Sequence, residues 1–190
     1  MNHAPVPATP GPYRTPGLLL GPYYPLQAPI GADADLWRGD TLPSGTRHLR
    51  LEGQVLTHEG APVPIACIEL WQADPGGRYR HASAPGHTQV AAGFAGYGLT
   101  HCDAQGRFVF RSLVPGAYAD GDVVRAPHLH AQITGRVDRL VTQIFLPGDE
   151  RNHSDRWYRA VAHPERLLPQ VIRDDANGLC LHWTVFIAQA

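Results

Sequence analysis

Glycine and proline recur at short intervals along this chain, and their spacing limits which folds the chain can adopt. The two residues make up 38 of 190 positions, as 20 glycines and 18 prolines, and they fall between short apolar runs. Strands joined by tight turns use both residues, whereas the interior of a long helix tolerates neither well. The sequence therefore predicts an all-β protein, a β-sandwich of mixed short strands with long loops.

The apolar pattern predicts an N-terminal arm followed by one sandwich domain. Residues 1–46 are rich in proline and glycine and show little periodicity, so we expect an extended arm. Its apolar residues Leu18–Leu20, Tyr23 and Tyr24 predict that the arm lies on the sandwich or on a neighbouring subunit. Residues 47–190 are the predicted β-sandwich catalytic domain, with strands at 50–57, 64–72, 107–111, 139–146 and 179–188, a long loop at 82–98 and a short helix within 152–168.

Charge and composition exclude several classes of protein. The formal net charge of −1 gives no electrostatic reason to expect binding to nucleic acid or to an anionic membrane. All 16 basic residues are arginines, which excludes a lysine Schiff base and a Walker-type phosphate site. No apolar run is long enough for a membrane span, and no secretory signal is visible. The cysteines Cys67, Cys102 and Cys180 have no CxxC spacing, so we expect reduced thiols in a cytoplasmic protein.

Two histidines stand two residues apart in a segment that has the pattern of a strand. His128 and His130 lie within Arg125–Gln132, and alternate residues of a strand point to the same face. Leu129 and Ala131 would then point the other way, into a core. Two imidazoles on one face are close enough to share a metal ion.

Two tyrosines offer a second kind of metal donor. Tyr79 follows the Gly76–Gly77 break, and Tyr118 follows a Pro-Gly turn ten residues before His128. A phenol has a pKa of about 10, so it ionises at neutral pH only beside a strong Lewis acid. Two phenolates with two imidazoles would suit ferric iron, because anionic oxygens stabilise the higher charge. Packing in the core or at the surface is the alternative for each tyrosine.

Seven segments of the chain resemble, in order, the intradiol ring-cleavage dioxygenase family. They are Gly53–Val55 (GQV), Gly60–Pro64 (GAPVP), Ile68–His81 (IELWQADPGGRYRH), Asp103–Phe108 (DAQGRF), Pro115–Tyr118 (PGAY), Arg125–His130 (RAPHLH) and Leu140–Phe145 (LVTQIF). The resemblance is to the branch that acts on protocatechuate. It implies a β-sandwich enzyme that uses Fe(III) and O2 to open a small aromatic diol of the catechol type to a muconate-type diacid.

The resemblance also implies a role for particular residues. Fe(III) would be held by four side chains, those of Tyr79, Tyr118, His128 and His130. Tyr118 would in addition act in catalysis by leaving the metal and accepting a proton from the substrate. The family's N-terminal Gly-Pro-Tyr motif corresponds to Gly21–Tyr23, which in the family belongs to an iron-free partner subunit. One chain would then combine both roles and form a homo-oligomer.

Arg125 and Gln143 are the remaining residues with an implied catalytic role. Arg125 would place a fixed positive charge beside the substrate ring, and Gln143 would hydrogen-bond Arg125 or a water molecule of the site. The alternative for Arg125 is a salt bridge with Asp120 or Asp122, and the alternative for Gln143 is a strand amide that faces solvent. Three residues are expected to contact the substrate: Tyr23, Trp71 and Arg125.

Two other functions and the choice of substrate stay open. His101, Asp103 and His153 have the spacing of the facial triad in ferrous 2-oxoglutarate oxygenases, although Asp103 also opens a turn. A non-catalytic β-sandwich partner subunit is the other alternative. Protocatechuate, catechol, hydroxyquinol and substituted catechols all fit the sequence, and a carboxylated substrate would need a partner such as Tyr23, Arg78 or Arg80.

Overall fold

The computed structural model describes residues 14–25 and 27–188 and contains ten strands. The strands are β1 His48–Thr57, β2 Cys67–Gln72, β3 Tyr97–His101, β4 Arg107–Leu113, β5 Tyr118–Asp120, β6 Val123–Arg125, β7 His128–Thr134, β8 Arg139–Phe145, β9 Gln170–Asp175 and β10 Gly178–Ile187. One short α-helix, α1, spans Arg156–Arg159, and single 3-10 turns occur at His87–Gln89, Glu150–His153 and Pro164–Leu167. Within these residues no helix has the length and apolar character to cross a bilayer.

The strands form two four-stranded sheets and one separate hairpin. The order is β4-β1-β10-β9 in the first sheet and β3-β2-β7-β8 in the second, while β5 pairs with β6. All neighbours are antiparallel except β1 and β10, which run parallel. This arrangement confirms the predicted all-β sandwich.

Alternating side chains of both sheets build the core between them. On β7, Leu129, Ala131 and Ile133 are fully buried in the main apolar cluster, as their alternation with the histidines predicted. On β10, Leu181, Trp183, Val185 and Ile187 join the same cluster. The opposite face of the second sheet is therefore free to carry polar residues, and the two histidines lie there.

The segment that precedes β1 lies on the sandwich of its own chain. Its described residues form no regular helix or strand, only isolated bridges at Asp35 and Trp37. Leu18 N donates to the carbonyl of Val141, which fixes this segment to β8. Tyr23 and Tyr24 pack on the second sheet, against a cluster around Trp71 and Tyr79. The domain boundary at 46/47 and residues 1–13 of the arm stay predictions, because residues 1–13 lie outside the described chain.

Three of the predicted elements need correction. The predicted loop at 82–98 ends earlier, because Tyr97 already begins β3. The strand predicted from 64 begins at Cys67, because Ile65 has a φ of 62° and belongs to a turn. The helix expected within 152–168 is only the four residues of α1, flanked by two 3-10 turns. β3, the β5–β6 hairpin and β9 were not predicted.

Candidate metal centre

The two histidines of β7 point their ring nitrogens at one another. The Nε2 atoms of His128 and His130 are 3.2 Å apart, and both rings are buried. The Nδ1 atom of His128 lies 2.6 Å from the carbonyl oxygen of Ala126 and donates to it, which leaves Nε2 without a proton. Two nitrogens bound at about 2.1 Å to one ion at a right angle would be about 3 Å apart. The observed spacing therefore suits two adjacent ligands of one metal ion.

Glycines bring the two tyrosines to the same place. Gly77 has a φ of 76°, and a Cβ there would lie 2.2 Å from the carbonyl oxygen of Ala117. The chain just before Tyr79 and the chain just before Tyr118 can therefore touch only because residue 77 is glycine. The two phenol rings meet edge to face at 5.3 Å between centroids.

The tyrosine rings also contact the histidine rings. Tyr79 lies 6.2 Å from His130 and Tyr118 lies 5.7 Å from His128, both measured between ring centroids. The hydroxyl of Tyr79 is buried; it interacts with the hydroxyl of Tyr118 but makes no hydrogen bond of good geometry within the described residues. An unpartnered buried hydroxyl costs folding free energy, so its presence here indicates a ligand that the protein residues do not supply.

Burial sets the protonation state of all four donors. It lowers the pKa of His128 to about 4, aided by the charge of Arg125, and it lowers the pKa of His130 well below its usual value. Both imidazoles are therefore neutral, as metal ligands must be. Burial raises the pKa of Tyr79 and Tyr118, so these phenols need a cation to ionise them. The donor set thus fits a highly charged, hard metal ion such as Fe(III).

Arg125 lies beside these donors in a closed hydrogen-bond network. Its Nε donates to Asp155 at 2.8 Å, its Nη2 to Gln143 Oε1 at 2.6 Å and its Nη1 to the Tyr118 hydroxyl at 3.3 Å. Of its predicted contacts, the one with Gln143 is present. The alternative for Arg125, an ion pair with Asp120 or Asp122, is not formed, because the buried Asp155 takes that place.

Asp155 is a functional candidate that the sequence reasoning missed. Its carboxylate also accepts from the backbone N–H groups of Ala126, Trp157 and Tyr158, and so it caps α1. One side chain therefore orients Arg125 and fixes the start of α1. The available signal was the N-cap pattern of an aspartate before Arg-Trp-Tyr, which predicts a cap and says nothing about Arg125.

A pocket of about 180 Å³ opens next to the four donors. Its walls include Gly21, Pro22 and Tyr23 from the arm, and Tyr118, Arg125 and His130 from the sandwich. A Cβ on Gly21 would lie 2.9 Å from Cε1 of His130, so only glycine lets the arm cover this ring. Tyr23 packs on Tyr79 with centroids 4.7 Å apart.

Other predicted binding residues lie outside this pocket. Trp71 does not line it, and instead stacks on the far side of His130 with centroids 5.0 Å apart and planes 12° apart. Arg78 is bound to the buried carboxylate of Asp74, and Arg80 Nε donates to the carbonyl of Phe94. Neither arginine is available to a substrate in the pocket.

The remaining pocket wall was not predicted as a binding surface. It includes Asp120 at the end of β5, Arg156 and Trp157 of α1, and Leu19 of the arm. These residues come from three separate parts of the chain, and none carries a recognisable motif. Only the folded hairpin and helix bring them to one pocket.

The alternative ferrous site is not formed. The described residues contain no group of three or more His, Cys, Asp or Glu side chains that could hold a metal ion, so His101, Asp103 and His153 do not make a facial triad. Asp103 accepts from the backbone N–H groups of Gln105 and Arg107, which explains it as a turn residue.

Comparisons with known proteins agree with this geometry. A family model described as Dioxygenase (Dioxygenase_C) matches residues 19–185. The chain is 38% identical over 112 residues to the protocatechuate 3,4-dioxygenase beta chain of Burkholderia cepacia, covering 56% of this chain and 47% of that one. It is 32% identical over 152 residues to hydroxyquinol 1,2-dioxygenase of Corynebacterium glutamicum, covering 71% and 47%. The matches thus span about half the length of these relatives.

Solved structures share the fold. The dioxygenase domain of a dioxygenase carbohydrate-binding protein fusion from Streptomyces sp. SirexAA-E superposes with a TM-score of 0.72 at 27% identity, covering 94% of this chain and 100% of that one. Catechol 1,2-dioxygenase from Acinetobacter sp. ADP1 has a TM-score of 0.72 at 20% identity, covering 92% and 63%. At that identity the second comparison shows the fold alone.

Proposed function

The chain belongs to the intradiol ring-cleavage dioxygenase family, and we propose on that premise that it opens a catechol-type aromatic diol with O2. The product would be a muconate-type diacid, and the cofactor would be non-haem Fe(III). One observation carries the proposal: two facing imidazole nitrogens 3.2 Å apart share a site with a buried phenol whose hydroxyl makes no hydrogen bond of good geometry among the described residues. If this cluster had only a structural role, its buried polar atoms would lack hydrogen bonds and would lower the stability of the fold.

The proposed ligands are Tyr79, Tyr118, His128 and His130. Bound Fe(III) would supply the Lewis acidity that ionises the diol and makes its ring reactive towards O2. The protein holds both imidazoles neutral by burial, so neither ligand must lose a proton before it binds the metal. Trp71 stacks on His130 and fixes the plane of that ring.

Tyr118 is the proposed acceptor of a substrate proton. Its hydroxyl lies 3.3 Å from Nη1 of Arg125 and lines the pocket, whereas the hydroxyl of Tyr79 is sealed from solvent. A phenolate that turned from the metal towards Arg125 would find a cation to hold it while it takes the proton at Oη. We therefore assign the two tyrosines different roles, with Tyr118 the one that would leave the metal.

Arg125 supplies a permanent positive charge at the pocket wall. Its guanidinium is a fixed cation, so it acts electrostatically, stabilising negative charge that develops on the ring. Asp155 and Gln143 hold it from two sides at 2.8 Å and 2.6 Å, which fixes its position before the substrate arrives. The arm residues Gly21–Tyr23 cover His130 and limit the access of water to the reacting ring.

We also propose that one kind of chain suffices for activity, in a homo-oligomer located in the cytoplasm. Tyr23 of the arm lines the pocket of its own chain, so a partner subunit is not needed to place it. The three cysteines are free thiols, as that location predicts. A singly expressed chain that stays inactive until a second kind of chain is added would contradict this proposal, and its native mass gives the number of copies.

The test of function combines colour with oxygen uptake. Purified protein loaded with Fe(III) should be red-brown from phenolate-to-iron charge transfer, and the absorption should shift when a catechol is added without O2. Oxygen uptake with a panel of catechols, and product spectra, should then show intradiol cleavage. A colourless iron protein would indicate a ferrous oxygenase, and a protein that binds no iron would indicate a partner subunit.

Tyr118→Phe sharpens the test. It should change the visible spectrum and slow turnover about 100-fold or more while the fold is retained. Tyr158→Phe is the matched control, because this tyrosine packs on Phe145 outside the pocket. Spectra and rates that Tyr118→Phe leaves unchanged would remove Tyr118 from the ligand set.

A further inference from the structure

We propose that the substrate carries no carboxylate on its ring, and that Asp120 is the residue that excludes carboxylated diols. The proposal rests on the proposed function and narrows its substrate class. The proposal favours uncharged catechols over protocatechuate as substrates. The names of the relatives include both kinds of substrate.

A substrate carboxylate would need a positively charged side chain in the pocket. The chain has 16 arginines and no lysine, and all of them lie between Arg14 and Arg173, within the described residues. Only Arg125 and Arg156 line the pocket. Arg125 is already held by Asp155, Gln143 and Tyr118, so Arg156 is the one cation of the pocket left to bind a substrate carboxylate. Tyr23 also lines the pocket, but its hydroxyl offers a hydrogen bond and no positive charge.

Arg156 is itself engaged on two sides. Its Nη2 donates to Asp120 Oδ2 at 2.6 Å, and its guanidinium lies 5.1 Å from the ring centroid of Trp157. Asp120 follows Tyr118 by two residues on β5, so both side chains leave the same face of that strand. The hairpin that presents the proposed ligand thus also presents the anion that neutralises Arg156.

The two arginines of the pocket are then both paired. Arg125 faces Asp155, and Arg156 faces Asp120, so neither guanidinium is left without an anionic partner for a substrate carboxylate. A substrate carboxylate near Arg156 would have to displace Asp120 and would still lie close to its negative charge. An uncharged substituent avoids that repulsion and meets the apolar surfaces of Leu19, Pro22 and Trp157 instead.

The first measurement compares substrates on the iron-loaded wild-type protein. We expect kcat/KM for catechol or hydroxyquinol to exceed that for protocatechuate by about 100-fold or more. Calorimetric binding under argon should show the same order of affinity without any turnover. Tighter binding of protocatechuate would overturn this inference whatever the rates, whereas a lack of cleavage with every diol would overturn the proposed function.

The second measurement uses Asp120→Asn. Both members of the pair are partly exposed, so the substitution should not affect folding. We expect the ratio of protocatechuate to catechol kcat/KM to rise about tenfold, because Arg156 is released. Asp122→Asn is the matched control: it makes the same change of net charge at an exposed position outside the pocket, and should leave the ratio unchanged.

A double variant identifies the cause of that rise. In Asp120→Asn with Arg156→Gln the gain for protocatechuate should disappear, because the released cation is gone. A ratio that Asp120→Asn leaves unaltered, or a gain that survives the loss of Arg156, would overturn the role given to Asp120.

Discussion

Two buried polar clusters lie side by side on the same face of the second sheet, and they differ in how their hydrogen bonds are satisfied. In the first, the proposed metal centre, the Tyr79 hydroxyl makes no hydrogen bond of good geometry within the described residues, and the Nε2 atoms of His128 and His130 face only one another. In the second, around Glu69, the hydroxyls of Tyr24 and Tyr97 both donate to its carboxylate, at 2.9 Å and 2.6 Å. Gln132 donates to the other carboxylate oxygen and accepts from Arg139.

The contrast shows how a ligand site can be distinguished from a structural network. Both clusters use tyrosines on adjacent rows of the sheet, since Trp71 pairs with His130 and Glu69 pairs with Gln132. The Glu69 cluster is complete without any added group, so its polar atoms contribute to stability. In the metal centre some polar atoms lack partners, as in a metal site before its ion binds. These atoms lower the stability of the fold until a ligand binds.

Removal of a proposed ligand should have the largest effect. His130→Ala should reduce the iron content to about a tenth of wild type or less and abolish the visible absorption, because the site loses one of two neutral nitrogen donors. Metal analysis and the visible spectrum measure both. His101→Ala, at an exposed position on β3, is the control and also tests the ferrous alternative. Iron that is lost on His101→Ala and kept on His130→Ala would reverse the assignment.

Glu69→Gln should give the largest loss of stability. The amide replaces one acceptor oxygen with a donor, so at least one of Tyr24, Tyr97 and Gln132 loses its partner in a buried site. We expect the free energy of unfolding to fall by about 2–4 kcal/mol, measured by urea denaturation. Glu52→Gln makes the same change at a partly exposed ion pair with Arg50 and should cost less than about 1 kcal/mol. Equal losses would show that the Glu69 cluster is not a stabilising network.

Two Tyr→Phe variants test the comparison directly in iron-free protein. Tyr97→Phe should lower the free energy of unfolding by about 1–2 kcal/mol, because it removes a hydrogen bond to a buried carboxylate. Tyr79→Phe removes a hydroxyl that makes no hydrogen bond of good geometry, so it should leave stability unchanged or raise it by up to about 1 kcal/mol. If Tyr79→Phe destabilises the iron-free protein as much as Tyr97→Phe, the two clusters do not differ as described.

Tyr24→Phe should have the smallest effect. The hydrogen bond of Tyr24 to Glu69 is partly buried, and we expect a loss of about 0.5–1 kcal/mol in thermal or urea unfolding. Iron content should stay at the wild-type level, because Tyr24 does not line the pocket. A loss of iron on this substitution would mean that the arm controls the metal centre as well as covering it.

The parts of the fold that could be predicted are those in which one face of a strand is buried. Alternation predicted β1, β4, β7, β8 and β10, and the same alternation predicted that His128 and His130 share a face. β9 was missed because all six of its residues are exposed, so it has no apolar face to detect. The three-residue strands of the β5–β6 hairpin are too short to show any period.

The residues of the site also divide into those that the sequence could predict and those that it could not. Tyr79, Tyr118 and the two histidines could be proposed from motifs, and the structure brings their rings together. Asp155 could not, because its importance comes from a buried contact with Arg125, 30 residues away in sequence, that no local pattern encodes. Trp71 lies close to the site as predicted, because it stacks on His130, but it does not line the pocket, so its contact with the substrate stays a prediction.

The order in which the strands are synthesised matters for how this protein matures. The second sheet has all of its strands once residue 145 has been made, whereas β10 comes last of the described strands and sits in the middle of the first sheet, parallel to β1. On the ribosome, the edge of β1 must stay unpaired until residues 178–187 emerge. A nascent chain stopped before that point would carry every proposed iron ligand and a complete second sheet, and would still lack a central strand of the first sheet.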